Sequence, residues 1–556
     1  MPQPPYELGL VMAGAISGGA YTAGVVDFLL EALDAWENAK NSHEAVPAHA
    51  VKIRVMTGAS AGAMTTALTG LACFSDVTPV KDVKNPPDRK RNRLYDSWVR
   101  QVDISHLLEN RDLGNSGGVR SLLDATTLRE IAEAALDLAP AKARPYVDDP
   151  LAVYFTVTNL RGVPYGFRLF GSDKSTLYGM SSHGDYMAFQ LSRTAQKSTL
   201  PGSGLLNPNA TQGNGWGMFI AAALASGAFP IGLQPVDLRR PGTDYDGRLS
   251  RNPEWHPTPE PYPFLCVDGG VIDNEPLELA RRYLAGDVAG GTKQNPRNGE
   301  DAIRSVIMID PFPNKVEYDG KWKSDPRLTR VAPALLSALK NQARFKPEEL
   351  ALAEDETIFS RFMIAPSRDG AVGDADPPAM AAAILGGFGG FLHESFRRHD
   401  FQLGRRNCQA FLRWHYCLPE TNPIHADTAE EIRQRFHVKD RAPEGGSQTA
   451  LFRTESGRDV RYLPIIPLTG TAAAEVPLPE RARGDAVDRD ELSGQVLRRL
   501  RKVGYGLIDN DLPPIAGALV RFIIKAGWRL HLSRQVAGKA MEAIERELRR
   551  LDVTPT

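Results

Sequence analysis

The chain has 556 residues, 42% of them hydrophobic, which excludes a disordered polymer and exceeds what one small domain needs. Its 66 basic and 67 acidic residues leave a formal net charge of -1, so no field over the whole molecule draws nucleic acid and no nucleic-acid partner is expected. Four scattered cysteines, Cys73, Cys266, Cys408 and Cys417, form no Cys-X-X-Cys pair; neither a disulfide framework nor a metal or other cofactor is expected, and the reducing cytoplasm is the expected compartment.

The first ten residues, MPQPPYELGL, carry neither a basic stretch nor a cleavable apolar run, so no export signal is read there. Residues 8–12 read as a strand and 20–38 as a helix, with Gly14-Ala15-Ile16-Ser17-Gly18-Gly19 between them. Glycines at such a turn expose backbone amides to an anion, either an oxyanion or a phosphate, although they also serve a plain tight turn. The spacing is not that of a dinucleotide fingerprint, and no Gly-Lys-Ser/Thr follows as in a P-loop.

Residues 51–57 (VKIRVMT) read as a buried strand and 61–72 as an Ala-rich helix, joined by Gly58-Ala59-Ser60-Ala61-Gly62. A sharp strand-to-helix turn needs small residues around its central serine, and it lifts the hydroxyl out of the sheet beside the first amides of the helix. Ser60 is therefore a candidate nucleophile. The stretches 77–93, 239–263 and 286–300, rich in Pro, Gly, Asn or basic residues, read as solvated excursions. Residues 152–160 (AVYFTVTNL) read as a strand. The uncharged segment 215–233 (GWGMFIAAALASGAFPIGL) reads as a buried helix ending near Pro230, since Ala, Gly and Pro make it a poor membrane span.

Residues 264–267 (FLCV) read as another strand, which Asp268 ends and Gly269-Gly270 follow. A carboxylate there stands at the strand edge where Ser60 emerges and can accept its proton, although Asp-Gly-Gly is also an ordinary surface turn. Residues 306–309 and 359–364 supply further strands. The alternation gives an α/β protein: a three-layer α/β/α arrangement with a mainly parallel sheet and a helical C-terminal extension. A catalytic domain over 1–417, a polar connecting region over 418–488 and a helical region over 489–556 are expected.

In this order, GAISGGAYTAGVVDFLLEAL, TGASAGAM, AAALASGAFPIGLQPV and VDGGVIDNEPL resemble the patatin-like phospholipases, serine lipid acyl hydrolases with a Ser/Asp dyad. The resemblance implies lipid or phospholipid ester hydrolysis with Ser60 as nucleophile and Asp268 as base. It also implies an oxyanion hole from amides of Gly14, Ala15, Gly18 and Gly19, to which Ala61 adds one more. Gly58, Gly62, Gly269 and Gly270 complete the motifs. The glycine loop departs from the family's Gly-Gly-Gly-X-Arg/Lys-Gly, with Ala15 and Ile16 for two glycines and Gly18 for the basic residue, and a weakly active or inactive lipid-binding relative is the alternative.

A Ser-His-Asp esterase is the rival chemistry, with His393, His399 and His415 as its late histidines. Arg397, Arg398, Arg405, Arg406 and Arg413 fall in one aromatic-rich helical stretch that suits either headgroup phosphates or internal ion pairs. Residues 516–532 (AGALVRFIIKAGWRLHL) place Arg521, Lys525 and Arg529 four apart among Ile524, Trp528 and Leu532. That pattern fits either peripheral contact with an anionic membrane or a helix packed on the core.

Overall fold

The computed structural model describes residues 4–114, 118–167, 178–245, 254–255, 260–287, 293–312, 358–368, 371–372, 377–438, 461–510 and 524–552, with isolated positions between 327 and 338. In chain order its main elements are β1 (Tyr6–Met12), α1 (Gly19–Asn41), β2 (Val51–Gly58), α2 (Ala61–Cys73), α3 (Thr126–Ala134), β3 (Val147–Phe167), β4 (Tyr178–Leu191) and β5 (Ser203–Leu206). There follow α4 (Asn214–Ser226), β6 (Val236–Arg240), β7 (Tyr262–Asp268), α5 (Leu277–Leu284), β8 (Arg304–Ile309), β9 (Arg361–Ile364) and α6 (Glu394–Trp414). The last are the short strands β10 (Cys417–Pro419) and β11 (Tyr462–Pro464), then the helices α7 (Arg489–Asn510) and α8 (Ser533–Leu551).

The central sheet runs β9-β8-β1-β2-β3-β4-β5. Strands β9, β8, β1, β2 and β3 are mutually parallel, and β4 returns antiparallel along β3. Side chains alternate between two cores, as a period of two requires. Leu8, Leu10 and Met12 of β1, and Val153 and Phe155 of β3, face the large core under α1, α2, α4 and α6. Val11, Val55, Ala152 and Tyr154 face a smaller one under α5. This is the three-layer α/β/α arrangement.

Several segments differ from the sequence expectation. β4 was not anticipated, because YGMSSHGDYMAFQL is polar and exposed over its first half and apolar only where it enters the core. The stretch 239–263 is not simply a loop. It holds the end of β6 and the start of β7, which pair antiparallel. In 77–93, Val80 is fully buried and its N–H donates to Asp27 Oδ2 at 3.1 Å, so that excursion is anchored on α1. The helix expected over 215–233 stops at Ser226, four residues before Pro230, and its first turn is exposed except for the buried Trp216. No helix among the described residues is long and apolar enough to cross a membrane. Within 418–488, Ile465 and Ile466 are buried in the large core, Leu463 is also buried, and β11 pairs with β10.

Candidate active site

One long strand carries the geometry. The first half of β3 runs parallel to β2, placing Phe155 beside Gly58, while two residues further on Val157 lies beside Asp268 of the antiparallel β7. β2 thus ends from one direction and β7 from the other at nearly the same level, and the two chain ends deliver Ser60 and Asp268 to one spot. The Ser60 hydroxyl donates to Asp268 Oδ2 at 2.7 Å. Both groups are buried, with 7% and 4% exposure, so little water competes for the contact.

Ser60 sits at φ 53°, ψ -128°, a conformation costly for a residue with a side chain and typical of a serine held in a strand-to-helix elbow. The flanking glycines are steric necessities. A Cβ at Gly62 would lie 2.1 Å from the Met12 carbonyl oxygen, and one at Gly58 would lie 2.4 Å from Thr66 Oγ1. α2 therefore starts pressed against the end of β1. The Ser60 N–H donates to Ser226 Oγ at 2.9 Å, tying the elbow to the last residue of α4.

Asp268 is fixed on three sides. Its Oδ1 accepts the Gly270 N–H at 2.7 Å, its N–H donates to the Ala228 carbonyl at 2.9 Å, and its carbonyl accepts the Thr158 hydroxyl at 2.8 Å. Gly269 and Gly270 are again required by contact: a Cβ would meet the Thr156 carbonyl at 2.2 Å or Asn274 Oδ1 at 2.4 Å.

The glycine loop approaches from β1. A Cβ at Gly14 would lie 2.1 Å from Asn274 Oδ1 and 3.1 Å from Ser60 Cβ, so only glycine fits between them. The Gly14 N–H donates to the Asn274 carbonyl at 3.0 Å and the Gly18 N–H to the Ala15 carbonyl at 2.6 Å, so both amides already have partners. Gly19 opens α1 beneath Trp98, whose ring would be 2.3 Å from a Cβ there. Ile16 adopts φ 48°. Ala61 begins α2, where the helix gives its N–H no partner of its own. Ser226 and Asn274 were not singled out in the sequence; a serine ending an Ala-rich helix and an asparagine in a turn carry no signal until the fold brings them to Ser60 and Gly14.

Beside Ser60 lies a cavity of about 100 Å³ that opens in part to solvent. Its walls come from α2, α3, α4, residues 97–107, 227–233 and 388–391, and apart from Ser60 and Ser97 every lining residue is apolar. No histidine among the described residues lines it. His399 is buried elsewhere, between Arg368 Nη1 at 2.8 Å and Asp400 Oδ1 at 2.8 Å; His393 caps α6, accepting the Ser395 N–H, and His415 ends that helix.

The five arginines of α6 are engaged within the chain. Arg397 binds Asp103 at 3.0 Å, Arg398 binds Glu394 at 2.5 Å, Arg405 binds Asp27 and Glu31, Arg406 binds Glu475 at 2.5 Å, and Arg413 donates to the Ala473 carbonyl. Of the segment 516–532, residues 516–523, with Arg521, lie outside the described residues. In the rest, Trp528 packs on Gly504 of α7 and donates to the Leu500 carbonyl at 3.2 Å, Lys525 pairs with Asp509 at 2.5 Å, and Ile524 and Leu532 are exposed. Trp528 is thus an internal contact rather than a free membrane anchor. No group of three or more His, Cys, Asp or Glu able to hold a metal occurs among the described residues.

A family model described as patatin-like phospholipase matches residues 10–281. The uncharacterized protein y4iI of Sinorhizobium fredii (strain NBRC 101917 / NGR234) is 35% identical over 559 residues, which cover 92% of this chain and 77% of that protein. The crystal structure of VipD from Legionella pneumophila aligns at 12% identity over 98% of this chain and 90% of its own, with a TM-score of 0.19, a likeness that carries no argument. The matched region takes in the glycine loop, the elbow and Asp268 together, and the chain belongs to the patatin-like phospholipase family.

Proposed function

We propose that the protein is a lipid acyl hydrolase that cleaves carboxylic esters through an acyl intermediate on Ser60, with Asp268 as its base. The observation that carries this reading is the 2.7 Å contact of the Ser60 hydroxyl with Asp268, made at the edge of an apolar cavity. Asp268 takes the hydroxyl proton as Ser60 Oγ attacks the ester carbonyl, and the tetrahedral intermediate collapses with that proton passing to the departing alkoxide. Water then repeats the sequence on the acyl-serine and releases the fatty acid. The Ala61 N–H at the head of α2, with that of Ala15 across the site, are the amides proposed for the oxyanion. Gly14 and Gly18 donate elsewhere and are assigned the role of shaping the loop.

The inactive-relative reading draws on Ala15 and Ile16, but backbone amides do not need glycine where the conformation is allowed. Lipid contact by residues 516–532 enters the proposal only through the exposed Ile524 and Leu532. A fluorophosphonate that phosphonylates the wild type should leave Ser60→Ala unlabelled. Ser60→Ala and Asp268→Asn should each lower ester hydrolysis by about 10⁴-fold or more, equivalent to about 5 kcal/mol of transition-state stabilisation, without altering circular dichroism. Retention of a few per cent activity by either folded variant rejects the dyad.

A further inference from the structure

The cavity has a direction and a closed end. Its α2 wall consists of Ser60, Ala61, Met64, Ala67, Leu68 and Leu71, one face of a helix read from its first turn to its last. Eleven residues at ~1.5 Å rise put Leu71 about 16 Å beyond Ser60. α3 flanks the same space, contributing Leu128 and Ile131 and, just past its end, Ala135 and Leu136. Leu128 and Ile131 cluster with Ile16 and Phe391 near the elbow, whereas Leu71 and Ala135 belong to the large core.

Beyond Leu71 the chain leaving α2 is fastened to the chain leaving α3. The Lys142 N–H donates to the Phe74 carbonyl at 3.0 Å and the Asp76 N–H to the Pro140 carbonyl at 2.7 Å. The buried Arg144 guanidinium adds bonds to the carbonyls of Ala72 at 2.9 Å and Ser75 at 2.7 Å. The far end is therefore a sealed floor, with Leu71 and Ala135 as its innermost side chains.

We infer that this blind cavity measures the acyl chain: α2 is the ruler, Ser60 its origin, and Leu71 with Ala135 the stop for one straight fatty acyl group of medium length. The inference rests on ester hydrolysis at Ser60. A saturated chain built from ~1.5 Å C–C bonds advances about 1.25 Å per carbon in its zigzag, so 16 Å takes about a dozen carbons. Each methylene moved from water into such a lining is worth about fourfold in kcat/KM while it still finds room, and nothing once the floor is reached. A bulky or branched acyl group has no place in a slot walled by helices on three sides.

The test is the series of p-nitrophenyl esters from C4 to C18. For the wild type, kcat/KM should climb to a maximum near C12 and fall beyond it. Ala67→Phe, which puts a ring about 10 Å from Ser60, should move the maximum to about C8 and lower the C12-to-C4 ratio about 250-fold. Leu71→Ala should move the maximum to longer chains. An unchanged maximum in both folded variants overturns the ruler, as does a wild-type profile without a maximum. Ser60→Ala separates the two layers: hydrolysis surviving in it rejects the acyl-serine reading, while a silent Ser60→Ala beside unshifted variants rejects the ruler alone. Should the variants not fold, the wild type labelled with alkyl fluorophosphonates of two to sixteen carbons and read by intact mass gives the same answer, with rates that peak near twelve carbons or overturn the inference by not peaking.

Discussion

Helices α1 and α2 follow the first two strands and cover the same face of the sheet, and both are rich in small residues, yet α1 is sealed against its neighbour while α2 borders a hollow. On α1, a Cβ at Gly24 would lie 2.0 Å from the Phe401 carbonyl oxygen, and one at Gly404 of α6 would lie 2.2 Å from the Tyr21 carbonyl oxygen. The two backbones meet there. On α2, Ala61 and Ala67 face open space instead. The difference lies in what holds the partners. α6 is drawn onto α1 by Arg405, which binds Asp27 and Glu31. α3 and α4 are tied to one another, through Leu122 N–H to the Ile231 carbonyl at 2.8 Å, Leu123 N–H to Gly232 at 2.9 Å and Thr211 to the Leu136 carbonyl at 2.8 Å, and although α4 also packs on α2, a hollow is left among the three helices. Small residues allow close approach but do not cause it.

Breaking the sealed side should have the largest effect on stability. Arg405→Met strands Asp27 and Glu31, which are buried, and should cost about 3–5 kcal/mol in urea unfolding. Burial already pushes the Asp27 carboxyl up from its ordinary value, against the pull of Arg405, so the variant should take up a proton there at higher pH than the wild type. Asp27→Leu and Glu31→Leu added to Arg405→Met should recover much of the loss. A single variant as stable as the wild type would mean the ion cluster is not what holds α6 on α1.

A second buried polar pair lies on that side. His49 and His425 meet edge to face at 5.3 Å beneath Trp36, and His49 bonds the Ile465 carbonyl at 2.8 Å. Burial drives His49 down to about 4 and His425 down to about 3, below the ~6.5 of an unfolded histidine. The unfolded chain therefore binds more protons below pH 6.5, so stability is fully present above it and is lost as pH falls toward 4. By pH 5 the loss should be about 4 kcal/mol, about 2 from each histidine, and His425→Leu should halve it. Equal pH slopes in variant and wild type would remove this pair from the account.

The parts of the chain legible in sequence are those where a local pattern and a local cause coincide. Strand β1, the elbow and the helix after it were readable because an apolar run, a glycine-flanked serine and an Ala-rich stretch each have one economical conformation. β3 was read only in its apolar half, since its second half is a half-exposed hairpin arm whose partner β4 is polar and exposed over the same stretch. The buried stretch YLPIIPL at 462–468 was hidden by the polar residues around it. Ser60 and Asp268 stood out by their glycines, and those glycines are where backbone meets backbone. Gly18 and Gly19, read as anion-binding, also lie where a Cβ would crowd the Phe312 and Trp98 rings.

The sharpest form of the comparison enlarges one small residue on each helix. Gly24→Ala drives a Cβ into the Phe401 carbonyl, a backbone atom that cannot swing aside, and should destabilise by about 1–3 kcal/mol although alanine is the better helix former. Ala67→Leu puts three carbons into the apolar cavity and should stabilise by about 1 kcal/mol, because it restores contacts that a hollow forgoes. The same substitution should shorten the acyl chain the cavity takes, since the added side chain occupies the substrate's space. Opposite signs in urea unfolding, with the loss of long-chain hydrolysis confined to the stabilised variant, would establish that α2 is kept underpacked for its ligand. Destabilisation by Ala67→Leu would mean that the space beside α2 has no room for even a leucine, and that the hollow opens only as a chain enters it.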